Sequence, residues 1–149
     1  MDFSLSDKAE DYLGRLQTFF DKHIFPNEKD YDNEIENSHD PLHIPNLLNE
    51  LKVIAKNEKL WNLFLPDKKY GPGLSNLDYA PLAELMGQVW WSSEVFNCSA
   101  PDTGNMEILA EFGTEEQKAK WLEPLLEGEI PVSYTHLRAH ETRHDLVCR

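Results

Sequence analysis

Leu82, Leu85, Met86, Val89 and Trp90 fall at i, i+3, i+4, i+7 and i+8, the spacing that stacks apolar side chains on one stripe of an α-helix. The same 3.6-residue rhythm recurs along the chain, and no period-two run of convincing length interrupts it. The expected fold class is therefore all-α, a helical bundle without strands. A first helix follows a Ser4 or Ser6 cap and carries Leu5, Ala9, Tyr12, Leu13, Leu16, Phe19, Phe20 and His23 on one face. It is expected to stop near Pro26, and the charged stretch "NEKDYDNEIENSHD" reads as a solvated extension or loop. Leu47, Leu48, Leu51, Ile54 and Ala55 mark a second helix, followed by a short apolar piece around Leu60, Trp61, Leu63 and Phe64. "PDKKYGPG" is a loop by its prolines and glycines.

From Ser75 onward the punctuation sharpens. Pro81 either opens the helix that carries the Leu82 stripe or kinks its first turns. "SSEVFNCSAPDTGNMEILAEFG" predicts a helix interrupted at Pro101, restarted by an Asp102 cap, and turning Met106, Leu109 and Phe112 inward. Gly113 stops it as a C′ residue. "TEEQ" is a capping box, in which the Thr114 hydroxyl and the Gln117 side chain each satisfy an amide at the start of a further helix. That helix is expected to bury Trp121 and Leu122, to break at Pro124 and to run out at Gly128.

Composition narrows the function classes. A chain of 149 residues, 40% apolar and 28% charged, has room for one domain with a real core. Its longest apolar runs, such as "LWNLFL", fall far short of the roughly 18 residues of a membrane helix, so no membrane insertion is expected. Two cysteines do not make a disulfide scaffold, and a reducing, cytoplasmic compartment is the expectation. The net charge is −13. Residues 132–149, with three arginines against one glutamate and one aspartate, carry one net positive charge, so residues 1–131 stand at −14. Such acidity repels phosphate backbones and argues against nucleic-acid binding.

The last eighteen residues, "VSYTHLRAHETRHDLVCR", hold three of the six histidines and one of the two cysteines. His136, His140, His144 and Cys148 stand four apart, on one face of any helix they form. With a rise of about 1.5 Å per residue, the first and third histidines would be roughly 12 Å apart, so one ion takes at most a neighbouring pair. No second cluster supplies the remaining ligands, and no metal site is expected. The segment instead resembles translated sequencing-library adapter DNA: Val132 to Thr142 can be read from a transposase-type adapter, and "DLVCR" from the primer downstream of its index. The native sequence is thus expected to be represented only up to Pro131 or just before.

Elsewhere the chemistry is sparse. Cys98 has no histidine near it in sequence to activate it, and reads as a small buried hydrophobe. There is no phosphate-cradling GxxxxGK[ST], no dinucleotide GxGxxG after a strand, and the paired acids Asp30/Asp32 and Glu115/Glu116 read as solvated or cap-related.

The segments "LPDKKYGPGLSNLDYAPLAELMG" and "FNCSAPDTGNMEILAEFGTEEQKAKWLEPLLEGEI", in that order, resemble the N-terminal helical domain of the acyl-CoA dehydrogenases. The second resembles most the subgroup whose animal members fuse this dehydrogenase to a kinase-like phosphotransferase domain. The resemblance implies a flavin enzyme that oxidises the Cα–Cβ bond of an acyl-CoA thioester, with FAD as cofactor, an electron-transfer acceptor as partner and a homo-oligomeric assembly. It implies residues 1–131 as the helical domain, with the catalytic glutamate and the main flavin contacts in domains beyond them. No catalytic and no cofactor-binding residue is therefore expected here, and this segment alone is expected to be inactive. By the same resemblance Asn97, Ser99, Thr103, Asn105 and Met106 are candidates for the wall of the acyl pocket. The rival reading is a freestanding helical interaction module that never had a flavin.

Overall fold

In a computed structural model, which describes residues 4–40 and 43–130, every regular element among the described residues is helical. The order is α1 (Asp7–Phe19), α2 (Glu28–Asn37), α3 (Asn46–Asn57), α4 (Asn76–Met86), α5 (Ser92–Val95), α6 (Asp102–Phe112), α7 (Glu115–Gln117) and α8 (Glu123–Leu126). No helix among them is long and apolar enough to cross a membrane. The chain packs as two units, one up to Ser99 and one from Ala100 onward. His136, His140, His144 and Cys148, with the adapter-like segment, lie outside the described residues.

Two prolines that the sequence reads as helix breaks are instead carried through. Before Pro26 the chain widens into a π turn over Phe20–Ile24, and the N–H of Phe25 bonds to Phe20 O, five residues back. Pro26 then sits at the start of a 3₁₀ turn, Phe25–Asn27, where an amide donor is not required, and α2 follows directly. Pro124 is treated the same way: a π turn over Lys118–Leu122 ends with Glu123 N–H on Lys118 O, and Pro124 occupies the first turn of α8. The charged stretch after Pro26 is thus helix rather than loop. It is anchored by Tyr31, which is buried and stacks on Trp91 with ring centroids 4.3 Å apart.

In the first unit Leu16, Phe19, Phe20 and Ile24 form the buried face of α1 and its π turn. Phe96 meets Phe19 edge-on at 5.1 Å and Phe20 face to face at 6.0 Å. Leu48, Leu51 and Ala55 of α3 join them, and α3 packs on α5 while α1 packs on α4. The start of α4 is fixed by Ser75, whose hydroxyl accepts from Asp78 N, so Pro81 lies inside the helix and does not open it. The Leu82 stripe holds through Leu85 and Met86, but the helix ends there. Gly87 turns the chain, Val89 remains buried, and Trp90 emerges 68% exposed.

In the second unit α6 packs on the π turn and on α8, around Met106, Ala110, Leu122 and Leu125. Asp102 is the first residue of α6 and does not cap it, because Pro101 takes the cap position. Phe112 and Trp121 are exposed rather than inward, since the α6 stripe narrows to Met106 and Ala110 and the π turn rotates the face that follows. Lys120 covers part of Trp121, its ammonium 4.9 Å from the ring centroid. Gly113 ends α6 in an extended rather than a left-handed conformation, and a Cβ there would run into the carbonyl oxygen of Leu109. The Thr114 capping box forms as read: Thr114 Oγ1 accepts from Gln117 N at 3.2 Å, and Thr114 N donates to Gln117 Oε1 at 2.9 Å.

Candidate functional site

Of the five pocket candidates, Asn97 and Ser99 belong to the first unit, and Thr103, Asn105 and Met106 to the second. Asn97 follows α5 in a left-handed conformation (φ 54°). Its side-chain Nδ2 donates to Asn62 Oδ1 at 2.7 Å, and the backbone N–H of Asn62, itself left-handed at φ 53°, donates to Phe96 O at 3.0 Å. Two asparagines thereby join the loop after α3 to the loop after α5. Asn105 Nδ2 donates to Pro101 O one turn back, and Met106 is fully buried in the second unit. Thr103 is half-buried in the first turn of α6.

Ser99 opens onto a cleft of about 280 Å³, shared with Tyr31, His43, Ile44, Leu48, Trp90, Trp91, Ser93 and Glu94. The aromatic residues set its shape. Trp90 stands at 76° to Tyr31 with centroids 5.7 Å apart, whereas Tyr31 and Trp91 lie nearly parallel, so the three rings form a corner. Trp90 is held there although exposed, because its Nε1 donates to Asp32 Oδ1 at 3.1 Å. His43 Nε2 lies 2.8 Å from Glu34 Oε1, and Glu94 meets Lys52 Nζ at 2.7 Å. Burial pushes the Tyr31 phenol up, and the carboxylates of Glu94, Asp32 and Glu34 push it the same way. Sequence reading does not single out Tyr31 or Trp91, and takes His43 only as a distant histidine for Cys98. The one available signal was an aromatic residue inside an otherwise charged run, at Tyr31.

A second cleft of about 270 Å³ shares Trp90 and Ser93 with the first and is otherwise lined by Tyr79, Ala83, Met86, Gly87, Val89 and Cys98. Cys98 is no nucleophile there. Burial drives its thiol up to about 11, and its Sγ donates to Phe96 O at 3.3 Å. Among the described residues no group of three or more His, Cys, Asp or Glu side chains could hold a metal ion.

The family model described as "Acyl-CoA dehydrogenase, N-terminal domain" matches residues 6–129. FadE2 of Mycobacterium tuberculosis, assigned as an acyl-CoA dehydrogenase, is 49% identical over 140 residues, which cover 91% of this chain and 33% of that protein. Acyl-CoA dehydrogenase family member 10 of Mus musculus is 50% identical over 131 residues, covering 85% of this chain and 12% of its own length. A solved structure from Mycobacterium abscessus, also assigned to the acyl-CoA dehydrogenases, superposes with a TM-score of 0.74 at 43% identity, over 85% of this chain and 33% of that one. The chain thus spans a third or less of the length of these relatives. With the family model matched across all of its described helices, the chain belongs to the acyl-CoA dehydrogenase family, whose N-terminal helical domain it carries.

Proposed function

We propose that this chain is the helical N-terminal part of a flavin-dependent acyl-CoA dehydrogenase, which oxidises the Cα–Cβ bond of an acyl-CoA thioester and passes the electrons to a transfer partner. The single observation that carries this reading is the family match over residues 6–129. A bound flavin supplies the acceptor for the hydride that leaves Cβ. The cleft beside Trp90 does not suit its diphosphate. It is lined by Glu94, with Asp32 and Glu34 acting on the same tyrosine, and an anionic group would meet their repulsion. Following the family resemblance, we assign FAD, the catalytic base and the homo-oligomer contacts to the rest of the enzyme.

The role left to this domain is packing and part of the acyl-chain wall. Asn97, Ser99, Thr103, Asn105 and Met106 are the positions proposed for that wall. Support for Ser99 is its place on a cleft. Asn97 ties two loops together and Asn105 ties the first turn of α6 to its cap residue Pro101, each through a hydrogen bond, so their contribution is to shape. Residues 132–149 we infer to be translated adapter DNA, from the resemblance of their residue order to an adapter read in one frame.

Acyl-CoA thioesters of graded length with an artificial electron acceptor test the reading. The 149-residue chain is expected to reduce none of the acceptor. Turnover by this chain alone would contradict the division of labour. Resequencing of the source gene tests the remainder: it is expected to continue past the Pro131 codon into further domains, and a stop codon there would favour the freestanding helical module.

A further inference from the structure

We propose that the exposed face of α6, made by Gly104, Ile108 and Phe112 with Glu107 and Glu111 beside them, seats a basic helix from the part of the parent enzyme that follows the residues present here. The proposal rests on the reading of this chain as the first part of a longer polypeptide. It adds which surface meets the remainder, and by what chemistry.

Spacing makes the face. Ile108 and Phe112 stand one turn apart on α6 and are 59% and 74% exposed, whereas Met106 and Ala110 hold the buried side of the same helix. Among the described residues, no other two exposed large apolar side chains are one turn apart in one helix. A single exposed apolar residue needs no explanation. A pair at i and i+4 forms the ridge that interdigitates with a neighbouring helix.

Gly104 continues that ridge one turn earlier. Glycine weakens a helix, and nothing in this chain requires one there, because a Cβ at that position meets no atom within 4 Å and the backbone is not left-handed. The missing side chain instead leaves room for another backbone to approach from outside.

Charge decides what approaches. Glu107 and Glu111 are exposed, one turn apart along the edge of the face, and neither has an ion pair among the described residues. Residues 100–130 hold eight acidic side chains against two lysines. Lys118 is paired with Glu115 at 3.5 Å and Lys120 lies over Trp121, so neither serves the face. A second copy of the chain brings carboxylates to carboxylates and is repelled. A helix with lysine or arginine beside its apolar stripe meets both edges at once. The chain spans a third or less of the length of its relatives, so most of such a polypeptide is left to supply that helix.

The test is hydroxyl-radical footprinting of the 149-residue chain and of the protein encoded by the uninterrupted gene, read by mass spectrometry at Ile108 and Phe112. Both side chains are expected to label freely in the 149-residue chain and about tenfold more slowly in the long protein, where only local opening exposes them. Glu107→Lys with Glu111→Lys is expected to restore labelling of Phe112 in the long protein, with an unchanged far-ultraviolet circular dichroism spectrum. Gly104→Leu, harmless to the melting temperature of the 149-residue chain, is expected to do the same. Equal labelling in the two proteins, or protection that survives the charge reversal, would overturn the proposal while leaving the enzyme reading intact. Protection in the 149-residue chain that grows with its concentration would assign the face to a second copy and overturn it too. A gene that stops at the Pro131 codon would overturn both readings together.

Discussion

Asn62 and Asn97, 35 positions apart, both hold left-handed backbones and are joined by a side-chain hydrogen bond of 2.7 Å. Asparagine tolerates this conformation because its short polar side chain can bond locally, and here each uses that side chain to bind the other's loop. Asn62 is only 5% exposed and Asn97 is half-buried, so the pair is a part-buried polar link whose chain neighbours Leu63 and Phe96 are themselves buried. Losing either partner leaves a polar group without its bond.

Asn97→Ala is accordingly expected to cost on the order of 2 kcal/mol, from the lost hydrogen bond and the left-handed backbone together. Asn97→Gly keeps the backbone at ease and is expected to cost about 1 kcal/mol less. Urea denaturation of both variants measures this, and equal losses would show that the conformation is not under strain.

Asp78 ties the beginnings of two helices. Its Oδ1 accepts from Ser6 N at 3.0 Å and its Oδ2 from the Ser75 hydroxyl at 2.9 Å, with Ser6 capping α1 and Ser75 capping α4. The Ser6 amide first, then the Ser75 hydroxyl, hold its carboxyl below the ordinary value of 3.8. Depressed on folding, this carboxylate stabilises the fold above its unfolded value, and that contribution is lost as pH falls through the folded one. Melting temperatures from pH 2 to 6 are expected to fall less steeply with acid in Asp78→Asn than in the parent chain.

Tyr31 gives the opposite end of the pH scale. Its phenol is raised above 10.0, by burial first and then by Glu94, Asp32 and Glu34. Below pH 10 the phenol is neutral whether folded or not. As pH rises through that value the unfolded chain releases the proton first, and stability falls until the folded phenol ionises. Tyr31→Phe is expected to reduce the loss of melting temperature above pH 10, and identical alkaline slopes in the two chains would refute this.

Cys98 is expected to be inert while the fold is closed. With its thiol raised from 9.0 to about 11, the thiolate fraction near neutrality drops about a hundredfold, before its burial is considered. In a Cys148→Ser chain, which leaves Cys98 as the sole thiol, a disulfide reagent at pH 8 is expected to react only after denaturant is added. Reaction at the rate of a free cysteine would contradict the packing.

The helical class and its strongest stripe were legible in spacing alone, as Leu82, Leu85 and Met86 show, and so was the capping box at Thr114, because caps act within four residues. What failed was longer in range or finer in register. Pro26 and Pro124 look like stops because proline lacks a donor, but a π turn before each one moves the missing bond to a helix start. Trp90 fits the stripe by number, yet the helix ends at Met86 and turns it outward. Phe112 and Trp121 satisfy helical spacing and are nonetheless exposed. Asn97 was singled out for its polar loop, whereas its partner Asn62, hidden in the apolar run "LWNLFL", could be found only through the fold. The aromatic corner is likewise assembled from residues about sixty positions apart.

The enzyme reading meets its most direct test in the protein encoded by the uninterrupted source gene, titrated anaerobically with acyl-CoA while the visible absorption is followed. The account predicts a yellow protein whose flavin band bleaches on addition of acyl-CoA. A colourless protein, or a flavin band unchanged by every acyl-CoA tried, would contradict it.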